Sequence, residues 1–457
     1  MKKIMLLIFL LVSIPLYADV LDEYVNKGIK ANLGLKEKVL ALKISQAELD
    51  EAGGKLWPTV DFESNYFKAI GGGNLNVNLS GFVEDFYESN KDKIENPFDE
   101  IEIKKRAELD MPYGIEQQMM AKLCIKQPLF YPQVLHNKSY YSQLAKCSAN
   151  EKNAWLNNLI FEIKSTYYNY LKATVALNLC KDNLDAIKEK KRLYKVLLEN
   201  EKITPEKIIQ VEIEAQEMIV KIDQIALQQK KARFYFNFLL NQDMDTPIIC
   251  LKKLLLISPD EINISKLKND VKIYRYDLHK IENAIGAAKA KEKMAACEFL
   301  PKVAAVANLE IQKYGFQNIS RDDAYAAAGI AVQFNLFNGF QDKAKIKQAN
   351  LTVKQLENQY QQLHQSINLK LENALGELET LDLKIKLAAI KVSSAKGNIE
   401  RIKKEMDNGQ ANKIAYLKAK TALKEAFVRE NTAKLDYCLK LAEIDFLAGT
   451  KKEEKNA

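Results

Sequence analysis

The residue types best suited to chemistry in this chain are three histidines and six cysteines. His136, His279 and His364 lie far apart in sequence, inside stretches predicted to be helical, so packing or surface roles are favoured over metal ligation and acid–base catalysis. The cysteines form no CxxC pair and show no metal-ligand spacing. We therefore predict no metal site, no cofactor and no catalytic residue.

Three further features resemble binding sites, and each has a simpler explanation. The glycine triplet at 71–73 lacks the strand-to-helix context that a phosphate-binding loop needs. Met111, Met119 and Met120 suggest a soft-metal export role, but their spacing shows no convergent geometry, so packing or lipid-facing positions are favoured. The net charge of +8 is spread along mixed Lys/Glu stretches, which argues against nucleic acid as a partner.

The elements that must carry any function are long helices. Neither proline nor glycine occurs in 133–204 or in 206–246. Proline costs about 3 kcal/mol in a helix interior and glycine about 1 kcal/mol, so their exclusion indicates helix. Pro132 to Glu199 and Gly339 to Met406 are each 68 residues long. At about 1.5 Å per residue they predict two rods of roughly 100 Å.

Each rod is predicted to turn back as an antiparallel hairpin. Apolar residues follow coiled-coil spacing, as in Ile160, Ile163 and Tyr167. Thr204-Pro205 matches an N-cap followed by proline at the first helical position, and Asn408-Gly409 is a helix-ending pair. A shorter helix therefore follows each turn.

This hairpin occurs twice in the chain. Leu129-Phe130-Tyr131-Pro132 recurs as Leu336-Phe337-Asn338-Gly339, 207 positions later, and Phe238-Leu239 recurs as Phe446-Leu447, 208 positions later. Segments that repeat almost without insertion indicate one supersecondary unit used twice, side by side.

Short segments with two-residue alternation precede each rod and predict strands. They are Val303 to Ile311 and Ile330 to Leu336 in the second copy, joined by a turn at Tyr314 to Asp323. The first copy has Thr59 to Phe67 and roughly Gln118 to Pro128, joined by a longer connection. Strands of about ten residues suit a bilayer, but four cannot close a barrel, so closure requires a cyclic oligomer. The alternative is a small water-soluble sheet that caps the rods.

The N-terminus predicts export. Lys2 and Lys3 precede an apolar run, and Ala18 marks a cleavage point before Asp19, although the exact site stays open. No later run approaches the roughly 18 apolar residues of a spanning helix, so any membrane crossing must use strands. In an exported protein an even number of cysteines permits disulfides, but most lie in predicted helices at wide separations, so unpaired thiols are favoured.

Three local stretches resemble the TolC family of outer-membrane efflux proteins, and the resemblance covers essentially the whole mature chain. Arg275-Tyr276-Asp277-Leu278 resembles the family's Arg-Pro-Asp-Leu entry, with tyrosine in place of proline. The segment 336–339 resembles the strand-to-helix junction, and Met406 to Gln410 resembles the helix-tip turn. The first copy departs from this pattern, because its tip at 200–205 lacks the glycine and Tyr131-Pro132 replaces Asn-Gly.

The resemblance implies a fold that is mainly α with a β part. Long antiparallel coiled-coil hairpins in two repeats would be joined to four strands per chain, and a homotrimer would form one 12-stranded outer-membrane β-barrel above a periplasmic helical tunnel. The expected divisions are a signal peptide at 1–18, a first repeat at 19–240, an equatorial linker at 241–272, a second repeat at 273–449 and a disordered tail at 450–457. The first repeat would contain a leading helix at about 21–56, a strand hairpin at about 59–128 and a helical hairpin at 132–240. The second repeat would contain a helix, a strand hairpin at about 302–337 and a helical hairpin at 339–448.

The resemblance also implies where function lies. The tips would contact a periplasmic adaptor protein, and nearby charges would close the tunnel until the helices splay. The candidate adaptor contacts are Lys202, Thr204, Pro205, Asn408, Gly409 and Gln410. The candidate gate charges are Glu199, Glu201, Arg401, Glu405 and Asp407, for which solvated coiled-coil flanks are the alternative. The strand-to-helix junctions are Phe130, Pro132, Phe337 and Gly339.

We therefore expect an outer-membrane channel-tunnel component of a tripartite efflux or type I secretion system. It would be a passive exit duct, embedded in outer-membrane lipid, for substrates that an inner-membrane transporter expels. The alternative is a soluble periplasmic coiled-coil adaptor or scaffold without a pore. Adaptors usually carry one hairpin flanked by lipoyl-like and small barrel domains, whereas this chain has two hairpins and no such stretch.

Overall fold

The structure is a computed structural model of the chain. It describes residues 19–68, 73–78, 81, 85–86, 89, 108–113, 117–250, 264–314 and 323–449. The predicted signal peptide, the predicted tail at 450–457, the turn at 315–322 and residues 251–263 of the predicted linker lie outside these ranges. Two units can be distinguished by their internal contacts. The helical unit is Met1–Glu48, Tyr141–Lys289 and Asn350–Ala457, and the strand unit is Leu49–Tyr140 and Ala290–Ala349.

Helices make up most of the described chain. In order they are α1 (Asp19–Ala31), α2 (Leu33–Gly54), α3 (Pro132–Glu199), α4 (Pro205–Leu239), α5 (Ile264–Tyr274), α6 (Tyr276–Ala296), α7 (Gln341–Asp407) and α8 (Lys413–Ala448). Within the described ranges, no helix combines the length and the apolar character needed to cross a bilayer.

The two hairpins form as the proline and glycine pattern predicts. α3 has the predicted bounds, and α4 begins at Pro205 after Thr204 as N-cap. α7 starts at Gln341 rather than Gly339, because Gly339 and Phe340 both have left-handed φ angles, of 70° and 65°. Right-handed helical backbone therefore begins only after Phe340.

The predicted leading helix is interrupted. Asn32 separates α1 from α2, and its side chain is buried. The Asn32 Oδ1 atom accepts a hydrogen bond from the Leu35 amide (2.9 Å), and its Nδ2 atom donates to the Leu239 carbonyl (2.9 Å). Asn32 thus caps α2 and ties it to the end of α4. The segment predicted as linker also contains a helix, since α5 begins at Ile264.

The core of the helical unit follows the duplication. In the first repeat Ile163 and Tyr167 of α3 pack with Phe236 of α4. In the second repeat Leu371 and Leu378 of α7 pack with Tyr437 and Ile444 of α8. Each hairpin therefore buries its own apolar seam, as a coiled coil requires.

The strand unit contains six described strands, two more than predicted. They are β1 (Thr59–Lys68), β2 (Gly73–Asn78), β3 (Glu108–Tyr113), β4 (Gln117–Phe130), β5 (Lys302–Tyr314) and β6 (Ala324–Gln333). A four-stranded antiparallel sheet has the strand order β1-β4-β5-β6, and β2 pairs with β3 in a separate two-stranded sheet. The β2–β3 pair lies in the segment predicted as a connection.

The strand bounds correct the prediction in two places. β4 continues to Phe130, through a register shift between Pro128 and Phe130. β6 runs from Ala324 to Gln333 instead of 330–336. Its first half is largely alanine, so the sequence there shows no polar–apolar alternation, although the backbone pairs with β5 throughout.

Candidate functional site

The register of the four-stranded sheet separates an apolar face from a charged face. Residues paired across an antiparallel sheet point to the same face, and successive residues alternate. Phe62 pairs with Leu123, which pairs with Leu309. One residue further along β1, Glu63 pairs with Lys122, which pairs with Glu310. The apolar face carries Val60, Phe62, Leu123, Ile125, Ala307, Leu309, Ile330 and Val332, and the charged face carries Asp61, Glu63, Lys122, Lys126, Asn308, Glu310 and Gln333.

The outer strands of this sheet are open. Among the described strands, β1 pairs only with β4 and β6 pairs only with β5. The apolar residues near these edges are strongly exposed in the single chain, with Phe62 at 71% and Ile330 at 69%. A sheet with open edges and an exposed apolar face is incomplete as a water-soluble structure.

The two predicted tips share one turn geometry. After α7, Gly409 has a φ angle of 71°, and the Gln410 amide donates to the Glu405 carbonyl (2.7 Å). After α3, Glu201 has a φ angle of 55°, and the Lys202 amide donates to the Leu197 carbonyl (2.8 Å). Both are Schellman turns, in which a left-handed residue ends the helix. Glu201 thus adopts the conformation that glycine adopts in the second repeat.

The candidate adaptor contacts lie at these turns. The six candidates are all exposed, and they are Lys202, Thr204, Pro205, Asn408, Gly409 and Gln410. Asn412, which sequence reasoning missed, is the N-cap of α8, since its Oδ1 atom accepts from the Ala415 amide (2.9 Å). The Thr204 hydroxyl donates to the Glu206 carboxylate and lowers the pKa of that carboxyl.

The candidate gate charges do not meet one another across the hairpins in the single chain. Arg401 pairs with Glu405 of the same helix, with Nη1 and Oε1 2.5 Å apart. Glu199 and Asp407 are the last residues of α3 and α7, and both are exposed. Glu201 is the left-handed residue of the turn that follows α3. The gate assignment of these five residues therefore stays a prediction.

A ladder of ion pairs that the sequence did not reveal connects the two repeats. It joins α3 to α8 through Lys172–Asp436, Asp182–Lys424 (2.8 Å) and Glu189–Lys413 (3.0 Å). Partners in each pair are more than 200 residues apart, so no local spacing announces them. We call these three pairs the α3–α8 ladder.

The predicted junctions sit where strands pass into helices. Phe130 is the last residue of β4, and Pro132 is the first residue of α3, where its missing amide hydrogen and fixed φ angle suit a helix start. In the second repeat the rings of Phe337 and Phe340 meet edge to face, with centroids 5.3 Å apart, around the left-handed Gly339.

The Arg275-Tyr276-Asp277-Leu278 stretch closes the end of α8. The buried Arg275 guanidinium donates to the Phe446 carbonyl (2.6 Å) and to the Asp277 carboxylate (2.6 Å), and lies 4.7 Å from the centre of the Phe446 ring. A cation at a helix C-terminus satisfies free carbonyls and opposes the helix dipole. Desolvation lowers the pKa of Arg275, and its attraction to Asp277 opposes this effect.

The histidines were considered above as possible metal ligands. Across the described ranges, no three His, Cys, Asp or Glu side chains converge in a geometry suited to a metal ion. His279 instead contacts the Glu282 carboxylate (2.9 Å) and the Ile273 carbonyl (3.0 Å). Met119 and Met120 are successive residues of β4 and so point to opposite faces of the sheet. Within the described ranges none of the six cysteines forms a disulfide.

Comparison with known proteins gives a family match for the second repeat. Residues 268–450 match the family model described as outer membrane efflux protein. This match covers 183 of the 457 residues and lies in the second repeat. This confirms the resemblance to the TolC family. No curated protein matches the chain.

Solved outer-membrane channels share the fold of this efflux protein. The CmeC outer membrane channel of Campylobacter jejuni is 15% identical, with a TM-score of 0.76 over 94% of this chain and 86% of that one. VceC of Vibrio cholerae is 14% identical, with a TM-score of 0.72 over 94% of this chain and 96% of that one. The open-state MtrE channel of Neisseria gonorrhoeae is 16% identical, with a TM-score of 0.70 over 94% of this chain and 89% of that one.

The family match and the shared fold agree on the general role. This protein is a channel-tunnel component of the outer membrane, and the family that its second repeat matches is a transport family rather than an enzyme family. The predicted class, long helical hairpins in two repeats with a four-stranded contribution to a barrel, is confirmed. The alternative of a soluble adaptor or scaffold has no support from any match.

Proposed function

We propose that three copies of this efflux protein close one 12-stranded barrel and act as a passive exit duct. The observation that carries the proposal is the four-stranded sheet, which has one apolar face, one charged face and two open edges. Joining β6 of one copy to β1 of the next removes every edge. The apolar face then contacts outer-membrane lipid, and the charged face lines a water-filled lumen.

The helices support the same assembly. Apolar residues of α4 remain exposed at heptad-like spacing, with Ile213 at 54%, Val220 at 55% and Leu227 at 54%. On α7, Leu383 and Ile390 are 65% and 66% exposed. The α3–α8 ladder already joins the two hairpins of one chain, so the apolar residues of α4 and α7 are available for neighbouring copies. Exposed apolar stripes of this kind mark protein interfaces.

The exposed tips provide the remaining partners. We propose that a periplasmic adaptor protein binds the turns around Lys202 and Gly409, and that an inner-membrane transporter supplies the energy. The duct itself carries out no catalysis and opens when charges near the tips separate. Drug efflux and type I protein secretion both use such a duct, and the proposal covers both.

Disulfide trapping tests the trimer. In a variant without native cysteines, Phe62→Cys on β1 is combined in turn with Ala324→Cys, Ala326→Cys, Ala328→Cys and Ile330→Cys on β6, all on the apolar face. At least one combination is expected to give dimers and trimers on non-reducing gels. The matched control is Phe62→Cys with Leu123→Cys, which are register partners within one chain and give only a monomer.

Conductance tests the duct. The purified protein should raise the ion conductance of planar bilayers, and the conductance should be higher still when tip charges such as Asp407 are neutralised. Absence of intermolecular β1–β6 trapping would contradict the barrel. A trapped trimer that never conducts, even with Asp407→Ala, would contradict the duct while leaving the assembly intact.

A further inference from the structure

A cavity of about 370 Å³ lies between α3, α4 and α8 in the helical unit. Its apolar lining includes Ile187 of α3, Met218 of α4, and Ile414 and Leu417 of α8. This volume falls within the range of roughly 300–1,000 Å³ that small-molecule sites occupy. The cavity is separate from the sheet faces and from the turns assigned above to the adaptor.

One buried polar group lining this cavity lacks a partner. Asn183 is 9% exposed, and its Oδ1 atom has no hydrogen-bond partner within the described part of the chain. Buried amide groups are almost always hydrogen-bonded, because an unmade bond leaves the full desolvation cost uncompensated. The Oδ1 atom has almost no exposed surface, so a rotation of the side chain towards the cavity would let a ligand donor supply the missing bond.

A carboxylate that lines the same cavity is also unengaged. The Asp182–Lys424 ion pair (2.8 Å) fixes α3 against α8, and Asn183 and Glu425 are the next residues of the two helices. Glu425 is half-buried, lines the cavity and has no ion pair or hydrogen bond to any described residue. Glu214, the other lining carboxylate, is occupied by Lys190, with Nζ 2.8 Å from Oε2.

We propose that this cavity binds a small amphipathic organic cation. Its ammonium group donates to the Glu425 carboxylate and the Asn183 amide oxygen, and its apolar body packs on Ile187, Met218 and Leu417. Because α3 and α4 belong to the first repeat and α8 to the second, the ligand contacts both repeats at once. Binding would therefore stabilise the paired arrangement of α3 and α8 by mass action.

The test uses the full mature chain in lipid nanodiscs and the probe 4-phenylbutylamine at neutral pH. The uncharged 4-phenylbutan-1-ol and the anionic 4-phenylbutyrate serve as matched probes, and empty nanodiscs report partition into lipid. Saturation-transfer NMR and calorimetric titration measure binding. We expect saturable binding of the amine, weaker binding of the alcohol and none of the carboxylate.

Variants locate the site. Glu425→Gln is expected to weaken amine binding about tenfold, since a charge-assisted hydrogen bond becomes a neutral one, without affecting the alcohol. Glu400→Gln, an exposed glutamate on α7 outside the cavity, should bind like the parent chain. Ala186→Phe fills the cavity and should abolish binding of the amine and the alcohol; Ala422→Leu is the smaller alternative if Ala186→Phe does not fold.

Three results would overturn the proposal. Equal uptake by every variant and by empty nanodiscs would mean partition into lipid only. Amine binding by Glu425→Gln at parental strength would refute the cation preference. Cavity filling that leaves amine binding intact but weakens adaptor binding would make the cavity a protein-docking surface instead. Because the cavity lies within one chain, these results do not depend on trimer formation.

Discussion

The Oε1 atom of Glu189 on α3 lies 3.0 Å from Nζ of Lys413 on α8, so the two repeats are tied together close to both turns. Lys413 is the first residue of α8. Glu189 also binds Arg192 through both carboxylate oxygens, each at 2.9 Å. The hydrogen bonds from Arg192 and Lys413 lower the pKa of Glu189 to about 2. The carboxylate therefore stays charged through the whole physiological pH range.

Breaking this pair should ease opening of the duct. Lys413→Ala removes the rung of the α3–α8 ladder nearest the tips, and we expect a higher open probability in planar bilayers. The control is Lys188→Ala, which removes an exposed pair with Asp185 inside α3 and should leave conductance unchanged. Because the pKa of Glu189 is lowered, the contribution of the pair is lost only as pH falls through about 2. Parent-like gating of Lys413→Ala would remove this pair from the gate.

The helices were predictable because their signals are local. Exclusion of proline and glycine, the Thr204-Pro205 start and coiled-coil spacing act within a few turns, and α3 has the bounds that they indicate. The strand faces were predictable where polar and apolar side chains alternate, as in β5. The alanine-rich start of β6 was missed because its side chains are alike on both faces.

The contacts that join distant segments were not predictable. Asn32 interrupts the leading helix and hydrogen-bonds to Leu239, 207 residues away. The partners in each ion pair of the α3–α8 ladder are separated by even more residues. A single sequence records no such pairing. The left-handed Glu201 was missed for a different reason, since glutamate gives no signal for that conformation.

The turn after α3 should become more stable when Glu201 is replaced by glycine, the residue at the equivalent position of the turn after α7. Glu201→Gly removes the steric cost of a left-handed side chain, about 1–2 kcal/mol. Hydrogen exchange of the Lys202 amide, which donates to the Leu197 carbonyl, should slow. The control is Glu199→Gly, two residues earlier inside α3, which should cost about 1 kcal/mol and speed exchange. Faster exchange in Glu201→Gly would refute the strain argument.

A carboxylate in the exposed apolar stripe of α7 should disrupt the trimer. Leu383 is 65% exposed in the single chain and would be buried between copies. Leu383→Glu is therefore expected to shift the mass from trimer towards monomer in light scattering. Lys391→Glu places the same group on an exposed flank of the helix, outside the stripe, and should remain trimeric. A trimeric Leu383→Glu protein would exclude this face from the interface.

Glu151 should give the helical unit a pH-dependent contribution to stability. Its oxygens bind Lys38 of α2 (2.9 Å) and Lys280 of α6 (2.7 Å), and the hydrogen bonds from Lys280 and Lys38 lower the pKa of Glu151. A lowered carboxyl pKa stabilises the fold above the unfolded-state pKa of about 4.3, and the contribution is lost as pH falls through the folded value.

Thermal unfolding measures this effect. Since the Glu151 side chain is 40% exposed, solvent screening limits the expected loss in Glu151→Gln to about 0.5–1 kcal/mol at pH 7. The difference between variant and parent should shrink as pH is lowered below about 4. Glu400→Gln is the matched control and should follow the parent curve. A difference that is constant with pH would mean that packing, rather than charge, explains the loss.

Two glycine-to-alanine changes should have opposite effects. Gly449 ends α8 with a φ angle of 69°, and a Cβ atom there would lie 2.5 Å from the Tyr274 carbonyl oxygen. Gly449→Ala should therefore destabilise the junction that Arg275 closes, by about 1–3 kcal/mol. Gly397 lies inside α7 with open space around its Cα, so Gly397→Ala should stabilise that helix by about 0.5–1 kcal/mol. Denaturant titration distinguishes them, and destabilisation by both would show that Gly397 faces a contact formed only between copies.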